Sequence, residues 1–191
     1  MVGIKRMAVT AVLIAAGIVL PVVFHMIPAA VGGRALLPMH IPILFAGLVA
    51  GPVYGFFAGL ITPILSSMAT GMPAAGLVTY RMMVELSVYG AVAGVSMKFV
   101  RTNRTSIDLY ISLLAAMVAG RIAAGLAQAF VFFDGAYYIG LWISSYFVTS
   151  LPGIVMQLIF IPVIYFALEK ARLIPARYQS NQRRGNVQKS S

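Results

Sequence analysis

The sequence predicts an all-α integral membrane protein built from six transmembrane helices. Three observations support this fold class: 61% of the 191 residues are hydrophobic, only 9% are charged, and most basic residues fall in three short stretches separated by long apolar runs. A soluble domain usually carries about 25% charged residues. Most of this chain must therefore face lipid or other apolar helices.

Long apolar segments supply the predicted spans, because a helix needs about 20 apolar residues to cross the hydrocarbon core of a bilayer. The segment 36–68 is too long for one straight helix and contains Gly51 followed by Pro52. Proline disrupts the helical hydrogen-bond ladder, so we predict two helices separated at this pair. Single helices are predicted over 7–25, 77–97, 107–133 and 143–168.

The three basic stretches predict the orientation, because cytoplasmic segments of membrane proteins collect Lys and Arg. With two helices in 36–68, all three stretches fall on one side of the membrane; with one helix, the middle stretch would fall on the other side. We therefore predict that both termini are cytoplasmic and that 26–39, 70–76 and 134–141 are outer loops. The stretches contain Lys5 and Arg6; Lys98, Arg101 and Arg104; and Lys170, Arg172, Arg177, Arg183, Arg184 and Lys189.

One membrane domain, residues 1–174, holds all the predicted helices, and residues 175–191 form a polar, basic tail that we expect to be disordered and close to anionic lipid. The net charge of +10 could also indicate nucleic-acid binding. Basic segments beside spans explain this charge better, so the expected partner is the bilayer and not nucleic acid. The chain has no cysteine, which excludes disulfides and thiolate metal sites. We expect no metal and no cofactor.

Small residues recur at four-residue spacing on several predicted helices. Such residues let helix backbones approach closely in lipid, so we expect them to pack the bundle. They are Gly47, Gly51, Gly55 and Gly59 on the second and third helices, Gly90 and Gly94 on the fourth, and Ala115, Ala119, Ala123 and Ala127 on the fifth. A further pair, Ala11 and Ala15, lies on the first helix and could serve a partner subunit instead.

Polar residues inside the spans are few, and such residues usually face the bundle interior and mark function. Arg81 and Glu85 lie one turn apart on the fourth helix; they either neutralise each other as a structural pair or bind a ligand. Arg121 has no acidic partner nearby in the sequence, and a buried cation requires a carboxylate or a ligand. Other polar and aromatic residues in the outer half are His40, Tyr89, Gln128, Trp142, and a stripe of Tyr146, Ser150, Gly153 and Gln157. Together they predict a pocket that opens outward and holds a small anionic or zwitterionic solute.

The run LPMHIPILFAGLVAGPVYGFFAGLITPILSSMATGMP, residues 36–73, resembles the substrate-binding S-components of energy-coupling factor (ECF) transporters. The most specific element is the pattern AG-x-x-x-GP-x-x-G-x-x-x-G across the second and third helices. Members of this family are six-helix proteins of the prokaryotic plasma membrane that capture water-soluble vitamins and their precursors. The resemblance therefore implies a subunit for vitamin uptake.

The resemblance also implies a location for the substrate and for the partner. In this family the first outer loop and helices four to six form the pocket, and the alanine pair Ala11 and Ala15 matches the motif that docks on a transmembrane coupling subunit, which works with two ATPases. The pocket carries over to Met39, His40, Arg81, Glu85, Arg121, Gln128, Trp142 and Tyr146.

Three functions compete on the sequence alone. The favoured one is a non-catalytic subunit that captures and translocates substrate for an ATP-driven importer, since the chain lacks the Gly-x-x-x-x-Gly-Lys-Ser/Thr loop that cradles nucleotide phosphates. The alternative is a stand-alone small-solute permease, which no inverted repeat supports. An intramembrane enzyme is disfavoured. A metalloenzyme needs clustered ligands, but the chain has only two histidines and no H-E-x-x-H motif, and no helical pattern places a histidine beside Ser66 or Ser150 for a Ser–His dyad.

Overall fold

The computed structural model describes residues 3–26, 37–130 and 139–178, and this part of the chain is helical with no strand. We number the helices in chain order, with a π-helical turn at Ser144–Val148 between the last two. They are α1 (Gly3–Met26), α2 (His40–Ala50), α3 (Pro52–Thr70), α4 (Leu77–Phe99), α5 (Thr105–Phe130), α6 (Ile139–Ile143) and α7 (Leu151–Lys170).

Five segments of the described chain are long and apolar enough to cross a membrane: Gly3–Phe24, Pro52–Thr70, Leu77–Phe99, Thr105–Phe130 and Tyr146–Lys170. The remaining predicted span corresponds to α2, which has 11 residues. At 1.5 Å per residue α2 is about 16 Å long, roughly half of the hydrocarbon thickness. The all-α membrane fold is thus confirmed, and the count of six full crossings stays a prediction.

The chain reverses direction between α2 and α3 at Gly51, where the break was predicted. Gly51 has φ 106°, a left-handed backbone angle that favours glycine because it has no Cβ. Pro52 then occupies the first turn of α3, where its missing N–H costs nothing. A Cβ added to Gly55 would lie 2.6 Å from the Cα of Gly47, so the two helices touch along their backbones.

Glycines also join this hairpin to α4, as the four-residue spacing predicted. A Cβ on Gly47 or Gly55 would overlap the carbonyl oxygen of Gly90, and one on Gly59 would overlap that of Leu86. On α5 the small residues that allow close packing are not the predicted alanines. The alanine series is only partly buried. Instead, Gly120 packs against the Tyr89 ring and Gly125 against the Trp142 ring, and a Cβ at either glycine would overlap that ring.

The most buried helix is α2, in which nine of the 11 residues are buried. It contacts α1, α3, α4, α5 and α7, and this surrounding explains why it is apolar on every side. By contrast, α1 has a largely exposed face. Its side chains there include Ile4, Met7 and Val12, which are 79%, 64% and 68% exposed. Ala11 and Ala15 lie on this exposed face.

The described parts of the three basic stretches gather at one end of the bundle. Arg6 lies beside the turn at Gly51, because its Nη1 is 3.9 Å from where a Gly51 Cβ would be. Gly94, one turn before Lys98, packs against Pro52. Arg177 bonds to the carbonyl of Val100. Two helices in the segment 36–68 were predicted to place the three basic stretches on one side, and the structure places their described parts at one end of the bundle.

The chain beyond α7 is held to the α4–α5 connection through Asp108. Arg177 Nε donates to Asp108 Oδ2 at 2.6 Å, and the Tyr178 hydroxyl donates to the same oxygen. The other carboxylate oxygen, Oδ1, accepts from the amide and the hydroxyl of Thr102 at 2.8 and 2.7 Å. The predicted tail therefore begins with a docked segment as far as Tyr178, and residues 179–191 lie outside the described residues.

Candidate binding site

Two buried side chains, His40 and Glu85, lie beside each other where α2 begins. His40 is the first residue of α2, Glu85 lies in the middle of α4, and the two are 2% and 7% exposed. His40 Nε2 is 3.6 Å from Glu85 Oε1. The imidazole also lies edge-on to the Tyr89 ring, with 5.3 Å between the ring centroids. Residues 45 positions apart in sequence thus meet.

The second centre of the site is Arg121 on α5, which is only 2% exposed. Its Nε donates to the carbonyl of Tyr146 at 2.7 Å and its Nη1 to the carbonyl of Met117 at 3.3 Å. The guanidinium carbon lies 5.8 Å from the Tyr89 ring centroid and 5.7 Å from that of Phe147. Within the described chain, Nη2 has no hydrogen-bond partner and no carboxylate forms an ion pair with this residue.

The π-helical turn explains how a backbone carbonyl becomes available to Arg121. Within this turn the amide of Thr149 bonds five residues back to Ser144, so the regular α-helical ladder is interrupted before α7 begins. The carbonyl of Tyr146 accepts instead from Arg121 Nε and from the Ser150 hydroxyl. The Trp142 indole N–H donates in turn to the carbonyl of Arg121 at 3.2 Å. Single π-helical turns occur frequently at functional sites.

Arg81 extends the cluster toward the end of α5. Its Nη1 donates to Gln128 Oε1 at 3.3 Å, and its guanidinium carbon lies 5.9 Å from the Tyr146 ring centroid. Of the two readings for Arg81 and Glu85, the structural pair loses support: among the described residues these side chains form no ion pair with each other. Glu85 lies beside His40 instead.

Seven of the eight predicted pocket residues belong to one network of contacts. The Tyr89 ring lies between its two parts, because it contacts His40 on one side and Arg121 on the other. Met39 is the exception, because it is 3% exposed and packs in the apolar core, near Gly17 of α1. The seven are His40, Arg81, Glu85, Arg121, Gln128, Trp142 and Tyr146.

Two residues of this network, Tyr89 and Phe147, were not among the eight residues that the resemblance implied for the pocket. Tyr89 is fully buried, with its ring against His40 and Arg121. Gln157 is also fully buried, and within the described chain both of its amide atoms lack a hydrogen-bond partner, but no described contact joins it to the network. Tyr89 and Gln157 both carried a sequence signal: Tyr89 is one turn after Glu85, and Gln157 ends the stripe on the last helix. Phe147 carried none, because the π-helical turn that brings it to Arg121 shifts the helical periodicity.

The buried network contains more cationic than anionic side chains. It holds the guanidinium groups of Arg81 and Arg121 and the carboxylate of Glu85, and within the described chain Arg121 Nη2 is buried without a hydrogen-bond partner. Among the described residues, no group of three or more His, Cys, Asp or Glu side chains could hold a metal ion. Such a donor set favours a ligand that accepts hydrogen bonds.

The fold defines a multi-pass helical membrane protein, and the site is a cluster of buried polar and aromatic side chains within it. The family model for the ECF transporter, substrate-specific component, matches residues 5–165. This match covers most of the chain, which therefore belongs to that family and is a substrate-specific transporter subunit, as the resemblance indicated. No curated protein and no solved structure matches the chain significantly.

Proposed function

We propose that this subunit captures a water-soluble vitamin or cofactor precursor, anionic or zwitterionic, and carries it across a prokaryotic plasma membrane as part of an ATP-driven importer. The observation that carries this proposal is the buried guanidinium of Arg121, whose Nη2 has no partner among the described residues. Native proteins rarely leave such a group unpaired.

The unpaired donor of Arg121 gives the site its preference for an anion. An unsatisfied buried polar group costs about 1–3 kcal/mol, and Arg121 Nη2 is unsatisfied within the described chain. A carboxylate or phosphate would accept from this guanidinium through a charge-assisted hydrogen bond. Glu85 lies beside His40 and would accept from a donor on the same solute, which is why a zwitterion also fits.

Topology supports access from outside. The end of the bundle that collects Arg6, Lys98 and Arg177 is the cytoplasmic end by the positive-inside rule. His40 begins α2 at the other end, and Gln128 lies in the last turn of α5. The site therefore lies in the outer half. Because α2 is surrounded by other helices, it contacts little lipid, and the proposed six-helix topology does not require it to match the bilayer thickness.

Energy coupling requires partners in this proposal. The exposed alanines of α1, Ala11 and Ala15, lie on a face that a coupling subunit can approach closely. ATP hydrolysis is assigned to two ATPase subunits of the ECF module, and the chain itself is assigned no catalysis.

The experiment has two steps. Mass spectrometry of small molecules that co-purify with the detergent-solubilised chain identifies the solute. Uptake of that solute is then measured in proteoliposomes that contain the chain alone or the chain with an ECF module and ATP. We expect uptake only with the module and ATP. Equal uptake by the chain alone would contradict the importer and favour the stand-alone permease.

A further inference from the structure

A second polar site lies at the basic end of the bundle, away from the Arg121 cluster. A cavity of about 280 Å³ opens there, lined by Met97, Lys98, Arg101, Arg177 and Tyr178. Three of the five lining side chains are cationic. We propose that this cavity binds the phosphate of an anionic phospholipid, with the headgroup among the cations and the acyl chains along α4. This inference does not depend on what the outer site transports.

The charge in the cavity is only partly neutralised. Arg177 is paired with Asp108 at 2.6 Å, so one of the three cations has a counter-charge. Within the described chain, Lys98 and Arg101 form no ion pair. Two positive charges are therefore left for an anion, and a phosphodiester bound between basic side chains near the membrane surface would supply it.

One wall of the cavity is held in place. Burial lowers the pKa of the Arg177 guanidinium, but its hydrogen bonds with Tyr178 and Asp108 and the charge of Asp108 outweigh this effect and raise that pKa above its usual value. Arg177 also bonds to the Val100 carbonyl. The segment after α7 is thus fixed against the end of α4, and binding would not have to order it.

Apolar surface beside the cations distinguishes a lipid from a soluble phosphate. Val95 and Phe99 lie one turn apart on α4, next to Lys98, and they are 42% and 74% exposed. Lys98 Nζ lies 5.8 Å from the Phe99 ring centroid. A lipid can bring its phosphate to the cations and its acyl chains to these side chains at the same time, whereas a free phosphate compound satisfies only the first. Basic pockets between membrane helices commonly recognise lipid headgroups in this way.

The test uses the full chain in a neutral detergent and native mass spectrometry. The probes are phosphatidylglycerol, phosphatidylcholine and glycerol 3-phosphate. The variant Lys98→Gln with Arg101→Gln removes both uncompensated charges. The control Lys5→Gln with Lys170→Gln removes two exposed charges from the same end of the bundle but away from the cavity lining.

We expect the unmodified chain to retain phosphatidylglycerol in preference to phosphatidylcholine. The cavity variant should lose about 10- to 30-fold in phosphatidylglycerol affinity, because it removes both cations that are left to contact the phosphate. The control should lose much less, because Lys5 and Lys170 do not line the cavity. An equal loss in both variants would mean general charge attraction and would overturn the proposal. Equal retention of the two lipids would overturn it as well, and glycerol 3-phosphate binding as tightly as the lipid would assign the cavity to a soluble phosphate.

Discussion

At the scale of single residues, the site depends on buried polar groups whose partners lie far away in the sequence. Arg121 could be singled out from the sequence because it lacked a nearby carboxylate, and the structure places it in the cluster. Its actual partners, the carbonyls of Met117 and Tyr146, could not be predicted. One of them becomes available only through a π-helical turn, and side-chain periodicity carries no signal for a carbonyl.

Gln157 provides a test at this scale. Its amide is fully buried without a hydrogen-bond partner in the described chain, so Gln157→Leu removes an unsatisfied group that costs about 1–3 kcal/mol. We expect the variant to be at least as stable as the unmodified chain in thermal unfolding.

The matched control is Gln128→Leu, because Gln128 accepts a hydrogen bond from Arg81. This variant should be destabilised, since it leaves a buried part of Arg81 without that acceptor. Should Gln157→Leu lower stability as much as the control does, the Gln157 amide is satisfied inside the protein.

At the scale of helices, backbone contacts between α3 and α4 decide the packing. The four-residue glycine spacing predicted these contacts because glycine is the residue that permits them. The sequence could not predict the length of α2. A continuous apolar run looks the same whether a helix crosses lipid or is surrounded by other helices, and only the contacts with five neighbours distinguish the two cases.

Gly90→Ala tests the helix packing. Its Cβ would overlap the backbone of Gly55, which cannot move as a flexible side chain can, so we expect a loss of about 1–3 kcal/mol. Gly3→Ala is the control, because its Cβ would meet only the Tyr54 hydroxyl at 4.0 Å. Thermal unfolding in detergent measures both. Equal melting temperatures would show that α3 and α4 can separate at no cost.

The exposed face of α1 allows a second test at this scale. Leu at both Ala11 and Ala15 should keep solute binding in the isolated chain, because both positions lie on the exposed face. The same change should abolish ATP-driven uptake with the ECF module, since larger side chains prevent close helix contact. Loss of binding together with uptake would place the two alanines in internal packing, and normal uptake would remove them from the interface.

At the scale of the whole molecule, the helix directions bring the basic stretches of the sequence together. The sequence predicted one common side for the three basic stretches, and the structure brings their described parts to one end of the bundle. By the positive-inside rule, we expect this end to face the cytoplasm.

Cysteine labelling tests the orientation directly, since the natural chain has no cysteine. Ser106→Cys is a small change at an exposed position near the basic end, and Ala75→Cys lies in the connection at the opposite end. In intact cells a membrane-impermeant maleimide should label position 75 and not position 106. The reverse pattern would invert the proposed orientation.

The central claim is that the Arg121 cluster binds the transported solute. The most direct measurement is a calorimetric titration of the co-purified solute into purified Arg121→Ala, with Arg104→Ala as an exposed control from outside the site. Loss of a charged hydrogen bond worth about 1.5–3 kcal/mol predicts that Arg121→Ala binds roughly 10- to 150-fold more weakly, while Arg104→Ala binds normally. A folded Arg121→Ala with unchanged affinity would contradict the account and leave Arg121 with a structural role.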